Sequence, residues 1–329
     1  MSNKRENYSK PFLSLEEQIR KLESRNLIID FDINKEQLLF GNYYSIINGY
    51  KTPFLEKQDG EKYIQDSSFN DIYNLSHFDR DLRDIFLKYI LIFEEEIKAI
   101  LAYRFAEKFE GPEAYLFPES YNNKKGKNRI IKNIEIIQKE IKHQYNNTKN
   151  RNYIKHYRKK HKIVPIWVLV NTLTFGNISH IYDLLKEDLR DKIAKDFSVR
   201  YKREYKNNSN AVITKNLPPK SLQDILKISN YFRNVCAHSE VLYLYSLNKE
   251  ISDFSHFFKE IHSQVFQRSH LFALTCVLKL VLPQEYYTEL IERLNTLFDE
   301  YSVRIKSIDF QKEVLSRMDF PINWYDLLS

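Results

Sequence analysis

From His77 to Pro112 the chain reads HFDRDLRDIFLKYILIFEEEIKAILAYRFAEKFEGP, and Phe78, Leu82, Ile85, Phe86, Tyr89, Phe93, Ile97 and Ile100 recur along it at a 3.6-residue period. A pattern this long commits the segment to one long helix, since a strand alternates at period two and cannot gather these residues on one face. Gly111 and Pro112 supply the stop signal in the expected order. Only six glycines stand beside 23 Tyr and 22 Phe in 329 residues, which favours helices over a turn-rich all-β fold. The expectation is an all-α chain.

Other segments repeat the signal. Ser14 and Glu17 form a capping box ahead of Leu15, Ile19 and Leu22. Leu38, Leu39, Tyr43, Ile46 and Ile47 predict one short helix ending near Asn48-Gly49, and Pro53 and Gly60 mark the following stretch as a loop. A helix is expected from about 128 to 145, with Ile130, Ile134, Ile137 and Ile141 on one face. Pro165 should open the apolar helix IWVLVNTLTF and Gly176 close it, with Ser179 capping the next. Leu217-Pro218-Pro219 breaks the chain before Ser221 and Asp224, a second capping signature. Behind it Leu222, Ile225, Leu226, Ser229, Phe232 and Cys236 share one face of a helix running into RNVCAH. Three or four more helices are expected over 252–329.

The formal charge of +7 and a pI near 9.0 make an anionic partner plausible. Two cysteines, Cys236 and Cys276, with no CxxC pair, argue against a disulfide scaffold or a structural zinc site. The N-terminal residues lack the apolar core of a signal peptide, and IWVLV and LFALTCVLKLVL are too short to span a bilayer, so a cytoplasmic protein without a membrane partner is expected. No P-loop, GxGxxG or HExxH occurs. Glu94, Glu95 and Glu96 fan out around a helix and cannot face one metal ion together; a solvated face with one or two inward contacts fits them better. Trp167, Asn171 and Phe175, at helical spacing, read as core packing.

RNVCAH, Arg233 to His238, places an arginine and a histidine five residues apart, and RNYIKH, Arg151 to His156, has the same spacing. With 17 arginines and nine histidines, about half a match to RxxxxH is expected by chance, so the bare pattern decides nothing. Context separates the two. RNYIKH lies in residues 142–162, where eight Lys/Arg and three His occur without one acid, and reads as part of a basic, exposed or partly mobile segment. RNVCAH completes an amphipathic helix, which fixes its position against the core. Five residues subtend about 500° on an unbroken helix, leaving the two side chains about 140° apart. Either the helix ends near the motif or two copies of the chain share the site; the structural alternative is an interior ion pair or a capping histidine.

Four stretches in order, NYYSIINGY at 42–50, FDRDLRDIFLKYILIFEEEIK, VPIWVLVNTLTFGNIS at 164–179 and FRNVCAHSEVLY at 232–243, make the chain similar to the Abi family, the AbiD/AbiF-type abortive-infection proteins of the HEPN superfamily. After the histidine the family usually carries an Arg-Leu-Tyr-Asn or Arg-Leu-Trp-Asn pattern, whereas this chain has Ser-Glu-Val-Leu-Tyr, with Glu240 where a cation is common. The resemblance implies a HEPN-type helical bundle over 1–245, with residues 246–329 as a C-terminal helical extension on the same core. It also implies metal-independent RNA cleavage by two facing motifs, hence a homodimer, and no cofactor.

Arg233 would offer paired N–H donors to a phosphate, and Asn234 would assist by hydrogen bonding. His238 would remove the ribose 2′-hydroxyl proton or protonate the leaving 5′ oxygen, chemistry suited to an imidazole, which titrates near pH ~6.5 in model peptides. The product would be a 2′,3′-cyclic phosphate, and DNA would be neither cut nor a partner. Some relatives are held in check by a small RNA, so RNA is expected both as substrate and as antitoxin. The RNA-contacting candidates are Arg151, Lys155, Arg158, Lys159, Lys160 and Lys162, interleaved with tyrosines able to stack on bases, and Arg200, Lys202 and Arg203 in RYKREYK. The alternative reading is a non-catalytic RNA-binding protein on the same scaffold.

Overall fold

The computed structural model describes residues 12–57, 60–147, 152–208, 211–238, 240–247 and 249–329. Among them the chain is all-α: regular secondary structure is helical, and β pairing is limited to isolated bridges. The first helices are α1 (Leu15–Glu23), α2 (Phe31–Gly41), α3 (Tyr43–Tyr50) and α4 (Phe69–Lys108). Then come α5 (Lys127–Asn146), α6 (Tyr153–His161), α7 (Ile166–Leu169), α8 (Phe175–Leu184), α9 (Glu187–Glu204) and α10 (Pro219–Ala237). The C-terminal part holds α11 (Val265–Arg268), α12 (Leu271–Leu278), α13 (Gln284–Arg304), α14 (Phe310–Glu313) and α15 (Trp324–Leu328). Three of those five are about one turn long, so this region has more helices, and shorter ones, than its periodicity predicts.

By compactness the chain divides into two units, one reaching Leu82 and including Leu294–Ile322, the other formed by Arg83–Arg293 with Asn323–Ser329. This is a different kind of division from the segments 1–245 and 246–329 read from the sequence. No described helix is long and apolar enough to cross a membrane.

In the first unit the capping box at α1 forms as expected: Glu17 N–H donates to Ser14 Oγ at 3.2 Å and Ser14 N–H to Glu17 Oε2 at 2.7 Å. The single helix expected around residue 40 is two. Asn42 adopts φ 59°, which ends α2, and its side chain then caps α3 by accepting from Tyr44 N–H at 3.2 Å. The long helix begins eight residues before the segment expected from His77, because Ser68 Oγ accepts from Asp71 N–H at 3.1 Å, a capping signature the apolar period does not reveal. Phe78 packs edge-on against Tyr301 and Phe310 at 5.6 and 5.1 Å between centroids.

In the second unit, Phe86, Phe93 and Ile97 of α4 are fully buried, and Phe93 meets Phe175 of α8 and Phe197 of α9 edge-on at 5.8 Å. Gly176 does not close a helix and Ser179 does not cap one. Thr174 caps α8 in a reciprocal box with Asn177, which places Gly176 in the first turn and buries Ser179. Trp167 and Asn171 depart from the core reading as well. α7 stops at Leu169 and a 3₁₀ turn follows, so the helical register linking them to Phe175 breaks; Trp167 is 51% exposed and Asn171 is exposed, while Phe175 is buried.

Lys279 is the most deeply buried cation among the described residues, 1% exposed, over the rings of Tyr205 and Tyr287 at 5.2 and 5.6 Å and donating to the Leu328 carbonyl at 2.9 Å. Burial pushes its pKa from 10.5 down to about 8, against a smaller opposing pull from Cys276. Because the folded value lies below the unfolded one, the unfolded chain binds more protons between them, and this group makes stability rise with pH over that window. Denaturant melts of the parent and of Lys279→Met should therefore show the parent gaining on the variant from pH 8 to about 9.5; parallel pH profiles would contradict this.

Candidate functional site

α10 carries RNVCAH into place. Its start is set by the two prolines: Pro218 occupies the cap position with extended backbone and Pro219 the first helical position, with no side-chain cap. Ser221 therefore lies inside the first turn and is buried, and the expected Ser221/Asp224 box does not form. Asp224 instead accepts from Lys220 at 2.6 and 2.8 Å and from the backbone and hydroxyl of Ser252 at 3.1 and 2.7 Å. The apolar face is as expected, with Leu222, Ile225, Leu226, Ser229, Phe232 and Cys236 all buried, and α10 packs on α8, α9 and α12. Gln223 adds a polar lock, donating to the Ser179 carbonyl and hydroxyl at 3.2 and 3.1 Å.

The helix ends within the motif. Ala237 is its last residue and His238 the C-cap, its N–H donating to the Asn234 carbonyl at 3.0 Å. Glu240 N–H then reaches back to the Val235 carbonyl at 3.3 Å, and the buried Arg83 donates to the Glu240 carbonyl at 3.0 Å. Leu242 and Tyr243 follow, fully buried. The chain leaving the motif is thus anchored at both ends, while Asn234, His238 and the Glu240 side chain stay exposed.

Arg233 lies half inside, its side chain 34% exposed. Its closest acidic neighbour is Glu94 of α4, with Nε 3.7 Å from Oε2. That separation exceeds hydrogen-bond range, and Nε and Oε2 are both buried without a hydrogen-bond partner among the described residues. The other oxygen of Glu94 accepts from Lys98 at 2.7 Å. Glu94, Glu95 and Glu96 do fan out: Glu95 is exposed and Glu96 holds Arg200. Arg233 and His238 make no hydrogen bond to each other within one chain.

The basic candidates separate by environment. Arg151 lies outside the described residues. Asn152 caps α6 by accepting from Lys155 N–H at 3.0 Å, and the basic run is helical from Tyr153 to His161. Arg158 pairs with Glu113 at 3.0 Å and donates to the Lys162 carbonyl at 2.9 Å, and Lys155 Nζ approaches the Asn147 carbonyl at 3.4 Å. Lys159, Lys160 and Lys162 are exposed. Arg200 forms a bidentate pair with Glu96 at 2.7 and 2.9 Å and also donates to the Val281 carbonyl. Lys202 donates to Asn216 at 2.6 Å, and Arg203, 69% exposed, pairs with its neighbour Glu204.

The residue that sequence reasoning missed is Glu94 as the partner of Arg233. Its position four residues before Lys98 was the available signal, but nothing along the chain connects it to Arg233.

The model of one protein family, described as Abi-like protein, matches residues 36–244, well over half the chain and including the whole of α10. No curated protein matches the chain, and no solved structure does.

Arg83→Met should leave the Glu240 carbonyl without its donor and destabilise the second unit by about 1–3 kcal/mol. Amide exchange at Glu240–Tyr243 should accelerate by more than at the buried middle of α10; uniform acceleration would show that Arg83 does not act locally.

Proposed function

We propose, on the premise that the chain belongs to the Abi-like protein family, that it is an abortive-infection or toxin-antitoxin ribonuclease of the HEPN, AbiD/AbiF type, cutting RNA without a metal ion or cofactor. The observation that carries this reading is the end of α10. Arg233 is held there with its two terminal amino groups free of protein acceptors among the described residues, and the exposed imidazole of His238 caps the same helix. Supporting arginines elsewhere differ: Arg104 and Arg200 spend their guanidinium groups on bidentate carboxylate pairs.

The chemistry follows from the ribose. A base removes the 2′-hydroxyl proton, the 2′ oxygen attacks the adjacent phosphorus, and the bond to the 5′ oxygen breaks as an acid protonates it. Charge builds on the non-bridging oxygens, where a guanidinium offers two parallel donors. His238 serves as base or acid and Arg233 as the anion-stabilising group, with Asn234 exposed beside them for a further hydrogen bond. One chain supplies one motif imidazole, and its arginine and histidine share no hydrogen bond. The reading therefore calls for a homodimer in which two copies of the motif face one cut site, one histidine as base and its twin as acid.

For RNA binding beyond the motif, Lys159, Lys160 and Lys162 are the best placed of the sequence candidates, since they are exposed and, among the described residues, without acidic partners, whereas Arg158 and Arg200 hold the fold. A small RNA antitoxin would use the same electrostatic surface. A non-catalytic RNA-binding protein on this scaffold is the alternative, and the same assay distinguishes it.

Arg233→Ala should lower the cleavage rate of an RNA strand by about 10²–10³, and His238→Ala by about 10²–10⁴, in the presence of EDTA, with a DNA strand of the same sequence left intact. His156→Ala should cut like the parent. Cleavage by the Arg233 and His238 variants at the parent rate would overturn the assignment of the chemistry to this motif, and RNA binding by a parent that cuts nothing would favour the non-catalytic reading. Changing Lys159, Lys160 and Lys162 together to Gln should flatten the salt dependence of RNA binding, by about 0.7 in slope for each single-strand phosphate no longer neutralised; an unchanged slope would remove α6 from the interface.

A further inference from the structure

We infer that Glu94 is a positioning residue, holding the Arg233 guanidinium by its Nε edge so that the two terminal amino groups face outward as a fork for a phosphate; this rests on the ribonuclease reading. Three observations carry it. First, Glu94 is a buried carboxylate, 6% exposed, on the middle of α4, and among the described residues its cationic neighbours are Lys98 and Arg233. Lys98 takes Oε1 at 2.7 Å, so Oε2 is left to Arg233.

Second, the approach is made through Nε rather than through the terminal nitrogens. A guanidinium is planar with five N–H donors on fixed edges, so a carboxylate on the Nε side leaves the far edge, the one that matches a phosphate bidentately, unoccupied. Where an arginine in this unit serves only the fold, the geometry differs. Arg200 closes on Glu96 through both terminal nitrogens at 2.7 and 2.9 Å and has no free fork.

Third, the pairing is incomplete. At 3.7 Å neither Nε nor Oε2 has a hydrogen bond, yet both are buried, a costly arrangement for a group whose only role is structural. A movement of about 0.7 Å would bring the pair to hydrogen-bond distance. Glu94 thus acts as a backstop for a side chain that closes up when its other edge takes an anion.

The experiment uses the full chain and two readouts, one of which needs no catalysis. In nitrogen-15 spectra the Arg233 Nε–H signal, identified by its loss in Arg233→Lys, should exchange with solvent at least ten-fold more slowly than that of the exposed Arg20, and Glu94→Gln should remove most of that difference. In cleavage of an RNA strand, Glu94→Gln should lower kcat about 10- to 100-fold with KM within about two-fold, and Glu94→Asp, which keeps the charge, should recover part of the loss. Fast Nε–H exchange in the parent overturns the inference without Glu94→Gln having to fold, and an unchanged kcat in Glu94→Gln overturns it as well. A parent that cuts no RNA sinks the ribonuclease reading instead, and the exchange of the Arg233 signal in parent and variant then decides alone whether Glu94 holds the guanidinium.

Discussion

The burial of α10 is the constraint on which the candidate site depends. A helix that removes Leu222, Ile225, Leu226, Ile228, Phe232, Val235 and Cys236 from water, packed on α8, α9 and α12, cannot rotate or slide without exposing them. Its end is therefore fixed, and with it the position of Arg233 and His238. The polar ties of Gln223 to Ser179 and of Asp224 to Ser252 set its register, and Arg83 secures the chain just past the motif. Rigid support of this kind is what holds a donor to within the few tenths of an ångström that catalysis would require.

Burial and electrostatics then sort the charged residues. Many cations of this basic chain are engaged internally: Arg104 with Asp196, Arg158 with Glu113, Arg200 with Glu96, Lys279 with the Leu328 carbonyl. The net charge of +7 is thus a poor map of where an anion would bind. What distinguishes Arg233 is that none of its guanidinium N–H donors is spent on a hydrogen bond among the described residues, and what distinguishes Lys159, Lys160 and Lys162 is exposure without an acidic partner among the described residues.

The parts of this arrangement that are periodic were legible in the sequence. α4, α5 and the buried face of α10 follow from the spacing of Phe, Ile and Leu, because amphipathic helices declare themselves locally. Boundaries were less so, since several residues could cap each helix and tertiary packing chose among them: Thr174 over Ser179, Pro218 and Pro219 over Ser221, Asn42 dividing one helix into two. The pairing of Arg233 with Glu94, and of Arg158 and Arg200 with distant acids, was not legible at all. Such pairs join residues far apart in the chain, and a run of like charges looks the same whether or not the fold has assigned each one a partner.

The measurement that tests the account most directly is the chemistry of the ends left on RNA cut by the purified chain in EDTA. Attack by the ribose 2′-hydroxyl, assisted by an imidazole and a guanidinium, predicts fragments ending in a 2′,3′-cyclic phosphate and fragments beginning with a free 5′-hydroxyl. Fragments with a 3′-hydroxyl and a 5′-phosphate would mean that water, not the ribose, is the nucleophile, and would contradict the role given to Arg233 and His238.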